Sequence, residues 1–220
     1  MNIENNIETL TQSLPNRCRL IAVSKTQSVE KIQEAYAAGQ RAFGENKAQE
    51  LTGKYELLPH DIQWHMIGHL QSNKVKYIAP FVYMIHSVDS LKLLQEIDRQ
   101  GRKNNRVINC LLQIHVAVEE TKFGFSESEA LELVQQGVDN LEFIQIVGIM
   151  GMATFTSDSN QIRKEFKTLK SLFEKIKLLS LPRNVVMTEL SMGMSSDYAI
   201  AVEEGSTMIR VGTAIFGERN

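Results

Sequence analysis

The strongest restriction on the fold of this chain is the regular alternation of short apolar runs with amphipathic, helix-like stretches. Apolar runs that are typical of buried strands occur eight times, at 19–25, 41–45, 62–68, 82–88, 108–116, 141–150, 185–190 and 208–216. Alternating strands and helices require a parallel sheet joined by right-handed crossovers. Eight such units in 220 residues predict a closed (β/α)8 barrel, also called a TIM barrel, and a doubly wound open sheet is the alternative.

The helical patterns support a single folding unit. From Ile3 to Leu14, apolar residues recur on one helical face ahead of the first strand. Ser126 and Glu129 have the spacing of a capping box at the start of a later helix. No linker rich in Pro, Gly or Ser interrupts the chain, so we expect one α/β domain over 1–220 with an extra N-terminal helix.

The charge balance argues against a general attraction to polyanions. The chain has 24 Lys+Arg and 26 Asp+Glu, a formal net charge of −2, so binding to nucleic acid or an anionic membrane would need a local basic surface. One helix carries a row of lysines without interleaved aromatic residues, which we interpret as a solvated face: Lys164, Lys167, Lys170, Lys175 and Lys177. We therefore expect neither nucleic acid nor membrane as a partner.

The cysteines and the N-terminus favour a cytoplasmic protein. Cys18 and Cys110 are too few to form a disulfide framework, and Cys110 lies in an apolar run where it reads as a core residue. The first residues contain no basic and apolar regions of a signal peptide, and no apolar run approaches the roughly 20 residues that cross a bilayer.

Lys25 is the first candidate for chemistry, because ligands bind at the carboxyl ends of the strands in a parallel barrel. It follows an otherwise apolar strand. A lysine in such a place is usually just solvated. If it is partly desolvated, however, its pKa falls and the neutral amine can attack a carbonyl group.

A second candidate is the turn 191–196, which is rich in small and hydroxyl residues and precedes a helix that Gly205 would end. Its amides and hydroxyls could hold an anion, with Gly212 and Thr213 as the other half. The loops after strands seven and eight often bind phosphate in barrels, although an ordinary helix-capping turn is the alternative. A lysine across the mouth from a phosphate site is the layout that holds a phosphorylated aldehyde as a Schiff base.

Arg210 lies within the last apolar run. Strand parity places it on the same face as Met208 and opposite Ile209 and Val211. If the β-branched residues pack against the helices, Arg210 points into the barrel, where an unpaired guanidinium is very costly. It then needs an acceptor, which is either a barrel carboxylate such as Glu189 or a ligand atom.

No metal site is expected. His60, His65 and His69 are spaced loosely like ligands, but no cysteine or dense set of carboxylates completes a site. The sequence also lacks a nucleophile elbow, a P-loop and a dinucleotide-binding glycine motif.

Eight segments, in order along the chain, carry a resemblance to a known family. They are 20–25 (LIAVSK), 43–46 (FGEN) with Gln49 and Glu50, 64–74 (WHMIGHLQSNK), 85–89 (IHSVD), 122–124 (KFG), 148–152 (GIMGM), 190–195 (LSMGMS) and 210–217 (RVGTAIFG). Together they resemble the pyridoxal phosphate homeostasis protein family, whose fold is the barrel also found as the N-terminal domain of alanine racemase.

The resemblance implies pyridoxal 5′-phosphate (PLP) as the cofactor and assigns roles to matching residues. Lys25 forms the Schiff base with it. The resemblance also implies four contacts to the phosphate: Ser191, the backbone at Met192, Gly212 and Thr213. It further implies that Arg210 faces the pyridine nitrogen and that Asn46 and His65 lie near the ring. Two positions depart from the family pattern: 113–118 (QIHVAV), where relatives more often carry Asn and Gly-rich residues, and Ser196, which replaces a commoner acidic residue.

The implied function is that of a carrier with no catalytic residues. An arginine beside the pyridine nitrogen opposes its protonation and weakens PLP as an electron sink. The sequence ends just after strand eight, so we also expect no second domain to supply the opposite base of a racemase. Together with the resemblance, these observations predict a protein that buffers or delivers PLP with little or no catalysis. We expect it to be a monomer, with PLP-dependent apoenzymes as partners. The alternatives are a PLP-dependent amino-acid racemase or a related PLP enzyme, and a barrel that binds a phosphorylated ligand without a Schiff base.

Overall fold

The architecture is a closed barrel of eight parallel strands in the order β1 to β8. We describe it from a computed structural model that covers residues 2–117 and 123–218. The strands are β1 Arg19–Val23, β2 Ala42–Glu45, β3 Gln63–Met66, β4 Met84–Val88, β5 Ile108–Gln113, β6 Ile144–Met150, β7 Val185–Ser191 and β8 Met208–Val211. The predicted TIM barrel is confirmed, and the open sheet is excluded because β1 pairs with β8 in the register Leu20 to Ile209.

The helices alternate with the strands and cover the outside of the barrel. They are α1 Ile3–Ser13, α2 Val29–Ala37, α3 Ala48–Leu57, α4 Val75–Ile78, α5 Leu91–Lys103, α6 Glu127–Gln136, α7 Ser159–Lys177, α8 Tyr198–Glu203 and α9 Thr213–Phe216. The predicted N-terminal helix is α1, and the capping box of α6 is present, since the Ser126 amide donates to Glu129 Oε2 at 2.8 Å. Among the described residues, no helix is both long and apolar enough to cross a membrane.

The apolar residues form two separate layers. The layer inside the barrel consists of Ile21, Ala42, Met84, Leu111, Met150 and Met208. The larger layer lies between the sheet and the helices, and it includes Ile209 and Val211. Because Arg210 alternates with these two residues, it projects into the barrel, as the strand parity predicts.

The last strand is shorter than its apolar run suggests. β8 ends at Val211, and Gly212 precedes the short helix α9, which occupies the rest of the run predicted as strand to residue 216. The chain therefore turns at the mouth of the barrel at Gly212. The α9 helix also joins the two ends of the chain, because Asn6 Nδ2 in α1 donates to the Ile215 carbonyl at 2.9 Å.

A glycine permits the closest approach between two neighbouring strands. A Cβ atom at Gly148 would lie 1.7 Å from the carbonyl oxygen of Glu189. The register of β6 against β7 shifts between Ile146 and Gly148, so this is a bulge that only a residue without a side chain can occupy.

Candidate functional site

A cavity of about 530 Å³ opens at the carboxyl ends of the strands. This size is within the range of small-molecule sites. Its lining comes from the residues that follow several strands: Val23, Lys25, Asn46, Ile67, Met152, Phe155, Met194, Ser195, Ser196, Arg210, Gly212 and Thr213. Five of the eight predicted site residues are therefore brought together, namely Lys25, Asn46, Arg210, Gly212 and Thr213.

Lys25 stands in a turn directly after β1. Ser24 before it is fully buried, and Thr26 after it is exposed. Thr26 has a φ of 65°, in the left-handed region that β-branched residues rarely adopt. The turn thus leaves the strand sharply and brings a half-buried Lys25 to the edge of the cavity.

The loops after β7 and β8 meet across the cavity. The Gly212 amide donates to Ser195 Oγ at 3.3 Å. The turn before α8 is held by Asp197, whose Oδ1 accepts from the Met194 amide at 2.6 Å, and burial raises the pKa of the Asp197 carboxyl. Gly193 has a φ of 97°, and a Cβ there would lie 2.6 Å from the Cβ of Ala201. Residues of both loops, among them Ser195, Ser196 and Thr213, line one cavity.

Arg210 forms part of the cavity floor and is 4% exposed. Its Nη1 donates to Ser191 Oγ at 2.6 Å, and its Nη2 donates to the Gly151 carbonyl at 3.2 Å. Burial lowers the pKa of Arg210 to about 10, so the guanidinium is still charged at neutral pH. Glu189 is not its acceptor, because that carboxylate pairs instead with Arg19 at the start of β1.

A chain of buried hydrogen bonds continues from Arg210 into the barrel. Ser191 Oγ lies 3.0 Å from His86 Nδ1, and His86 Nε2 lies 2.8 Å from His65 Nδ1. Both imidazoles are completely buried, which lowers the pKa of His65 to about 3 and the pKa of His86 well below its ordinary value. At neutral pH both histidines are therefore uncharged, and His65 Nε2 has no hydrogen-bond partner among the described residues.

His86 was not among the residues singled out from the sequence. The available signal is its position in β4, two residues after Met84, whose side chain lies inside the barrel. Alternation along the strand puts a histidine at that place on the interior face.

Three predicted ligands are not part of the cavity lining. Ser191 and His65 lie deeper in the barrel within the hydrogen-bond chain. The Met192 side chain is buried in the outer apolar layer, and its amide donates to the Met208 carbonyl at 3.2 Å. Ser191 and Met192 lie away from the cavity because β7 continues to Ser191, and the Met192 amide still pairs with β8.

The two departures from the family pattern lie at the mouth. Ser196 lines the cavity. Gln113 at the end of β5 donates through Nε2 to the Phe123 carbonyl at 3.0 Å. Val118 and Lys122, which belong to the quoted segments, lie outside the described residues. Within 2–117 and 123–218, no cluster of three His, Cys, Asp or Glu side chains could hold a metal ion.

Sequence comparison identifies the relatives of this chain. A profile of the family described as alanine racemase, N-terminal domain, matches residues 1–220. The pyridoxal phosphate homeostasis protein of Aquifex aeolicus is 40% identical over 205 residues, which cover 93% of this chain and 88% of that protein. The protein of the same name from Haemophilus influenzae is 36% identical over 233 aligned positions, which cover 100% of this chain and 97% of that protein.

Solved structures agree with this grouping. PipY of Synechococcus elongatus PCC7942, in its structure without PLP, has a TM-score of 0.91 and 37% identity over 98% of this chain and 100% of that one. The PLP-bound structure of PipY has a TM-score of 0.89. Alanine racemase from E. faecalis is 18% identical with a TM-score of 0.74, over 99% of this chain and 58% of that one, which shows a shared barrel fold. From its sequence and its structure, the chain belongs to the pyridoxal phosphate homeostasis protein family.

Proposed function

We propose that this protein binds PLP as a Schiff base on Lys25 and serves PLP homeostasis by buffering or delivering the cofactor, with little or no catalysis of its own. The observation that carries the proposal is the meeting of Lys25, the buried cation of Arg210 and the hydroxyl-rich loops after β7 and β8 around one cavity. The PLP-bound structure of PipY, at 37% identity, supports the choice of cofactor.

The chemistry of the lining fits each part of PLP. An amine at Lys25 suits the aldehyde. Ser195, Ser196, Gly212 and Thr213 are the groups we assign to the phosphate. We prefer Ser195 and Ser196 to the sequence-based candidates Ser191 and Met192, because the first two line the cavity and the last two do not.

The remaining candidates have two different roles in the proposal. Asn46 lines the cavity and is assigned to the neighbourhood of the ring. His65 is assigned to the support of Arg210, because it reaches the cavity only through His86 and Ser191. Arg210 itself is assigned to the pyridine nitrogen.

The charge on Arg210 is the argument for a carrier. PLP stabilises carbanions best when its pyridine nitrogen is protonated, and a cation beside that nitrogen opposes the protonation. With a pKa of about 10, Arg210 remains that cation at neutral pH. This charge therefore supports a carrier. As further parts of the proposal, the chain is one PLP-binding domain that acts as a monomer in the cytoplasm and passes the cofactor to PLP-dependent apoenzymes.

Borohydride reduction followed by peptide mass mapping tests the proposed attachment. PLP added to the purified protein should produce the absorbance band of a Schiff base. After reduction, the peptide that contains Lys25 should carry the added mass of PLP. Lys25→Ala should lose both signals, whereas Lys170→Ala, a change on the outer helix α7, should keep them. A reduced adduct on another lysine, or no adduct on the wild type, would contradict the proposal.

The alternative of a PLP-dependent racemase or related enzyme is tested by isotope exchange. Amino acids are incubated with the PLP-loaded protein in deuterated water, and exchange at Cα is compared with that caused by free PLP. The carrier proposal expects no exchange above the free cofactor. Robust exchange with any amino acid would favour the enzyme.

A further inference from the structure

A cluster of three charged residues, two of them buried, lies between the barrel and α3, close to the cavity. It consists of Glu45, Glu50 and Lys54, and we call it the Lys54 cluster. Lys54 Nζ lies 2.8 Å from Glu45 Oε1 and 2.7 Å from Glu50 Oε1. Glu45 is 0% exposed and ends β2, while the other two residues belong to α3.

The Lys54 cluster holds the backbone on both sides of Lys25. Lys54 Nζ donates to the Ser24 carbonyl at 2.7 Å, and Ser24 Oγ donates to Glu45 Oε1 at 2.6 Å. On the other side, the Thr26 amide donates to Glu50 Oε1 at 2.6 Å. Each residue of the cluster therefore bonds directly to a neighbour of Lys25 in sequence.

The Lys54 cluster is not explained by a gain in the stability of the fold. Glu45 Oε2 has no hydrogen-bond partner among the described residues, and burial raises the pKa of this carboxyl. Buried ion pairs are often no better for stability than apolar residues of similar volume. Thr26 also keeps a left-handed φ of 65°, a conformation that persists only where surrounding contacts impose it.

We propose that the Lys54 cluster is a positioning device for Lys25, and that Glu50 fixes the conformation in which the lysine amine is presented to the cavity. The inference rests on the proposed function for the identity of the reacting group. Charged hydrogen bonds on both sides restrict the turn 24–26, so Lys25 starts from the conformation in which it reacts. Loss of such orientation slows a reaction even when the reacting group is unchanged.

Two substitutions at Glu50 separate positioning from simple folding. Glu50→Gln keeps an oxygen that can accept from the Thr26 amide, whereas Glu50→Ala removes it. Glu174→Ala is the matched control, because Glu174 Oε1 accepts from Lys170 at 2.6 Å with the same four-residue spacing on α7. Glu50 and Glu174 are both partly exposed, so the three variants should fold.

The rate of PLP capture, the yield of the borohydride-reduced Lys25 adduct and the melting temperature are measured together. We expect Glu50→Ala to capture PLP at least roughly tenfold more slowly, the lower end of the loss expected for one hydrogen bond to a charged group. Glu50→Gln should recover most of that rate, and Glu174→Ala should match the wild type. Hydrogen exchange at the Thr26 amide should become faster in Glu50→Ala alone.

Capture by Glu50→Ala at the wild-type rate would overturn the inference. Equal losses in Glu50→Ala and Glu50→Gln that follow their melting temperatures would do the same, since they would indicate a structural role only.

A failure of the proposed function is recognised separately. If the wild type captures no PLP, labelling of Lys25 by trinitrobenzenesulfonate replaces cofactor capture as the readout. A lower labelling rate in Glu50→Ala, with recovery in Glu50→Gln, would still support positioning. Equal labelling in all variants would refute it.

Discussion

His65 and His86 share a 2.8 Å hydrogen bond inside the barrel, where water cannot solvate a charged imidazole. Burial is the largest cause of the low pKa of both groups, and the positive charge of Arg19 acts in the same direction. The protein therefore folds around two neutral histidines. The free energy of unfolding should therefore decrease at pH values where the unfolded chain binds protons that the folded chain does not.

The pH dependence of stability should report this cost. An unfolded histidine titrates near pH 6.5, whereas His65 in the folded protein titrates near 3. The contribution of His65 is thus fully present above pH 6.5 and is lost as pH falls towards 3, because the unfolded state binds more protons in that window. His65→Gln should flatten the slope of unfolding free energy between pH 6 and 4 by about 1 kcal/mol per pH unit.

Urea denaturation at a series of pH values provides the measurement, with His60→Gln, a change at an exposed histidine, as the control. The control should keep the wild-type slope. An unchanged slope in His65→Gln would contradict the low pKa of His65, because it would mean that the folded and unfolded states bind this proton equally between pH 6 and 4.

Single residues differ in how far the sequence reveals their role. The place of Lys25 and Arg210 at the cavity could be predicted, because each is a charged residue at the end of, or within, an apolar strand and the carboxyl ends of the strands meet at the barrel mouth. Which of Ser191 and Ser195 lines the cavity could not be predicted, because it depends on where β7 ends. The strand extends one residue beyond its apolar run, so Ser191 still faces the barrel interior and Ser195 is left for the cavity.

At the scale of elements, the barrel depends on the fit between neighbouring strands. Gly148 lets β6 approach β7 so closely that a methyl group would overlap the Glu189 carbonyl. A backbone atom cannot move aside as a flexible side chain does. A side chain at position 148 would therefore force β6 and β7 apart and disturb their pairing.

Gly148→Ala should therefore destabilise the protein by at least about 3 kcal/mol or prevent folding, because forced overpacking strains the backbone. The matched control is Gly53→Ala in α3, where a Cβ would meet nothing within 4 Å. This control should gain up to about 1 kcal/mol from the helix propensity of alanine. Chemical denaturation of both variants tests the contrast, and equal stability of the two would contradict the role of the bulge.

The eight strands could be predicted because each is a short apolar run between helical patterns. Their ends were less predictable. In the run that begins at Met208, apolar residues continue past Gly212 into α9, and four residues are too few for periodicity to separate strand from helix. The turn at Gly212, which lines the cavity, could therefore not be predicted from the apolar pattern.

For the whole molecule, binding of PLP should be linked to stability. A ligand that binds only the folded state adds about 2.7 kcal/mol when its concentration is 100 times Kd. For a chain of this length that corresponds to a rise in melting temperature of roughly 5 to 10 °C. Thermal unfolding with and without PLP measures the shift.

Lys25→Ala should lose most of this rise, and pyridoxal, which lacks the phosphate, should cause a smaller one in the wild type. An equal rise in Lys25→Ala would indicate that PLP binds without the lysine.

Closure of the barrel also has a consequence for synthesis of the protein. β1 is synthesised before the other seven strands, yet one of its two neighbours is β8. The hydrogen bond from Asn6 in α1 to the Ile215 carbonyl likewise forms only after α9 has been synthesised. Until β8 has emerged, the nascent sheet exposes two unpaired edges, which can pair with other chains. Contacts of such large sequence separation form slowly. The barrel can therefore close only after β8 has been synthesised, and until then the two open edges remain available for pairing with other chains.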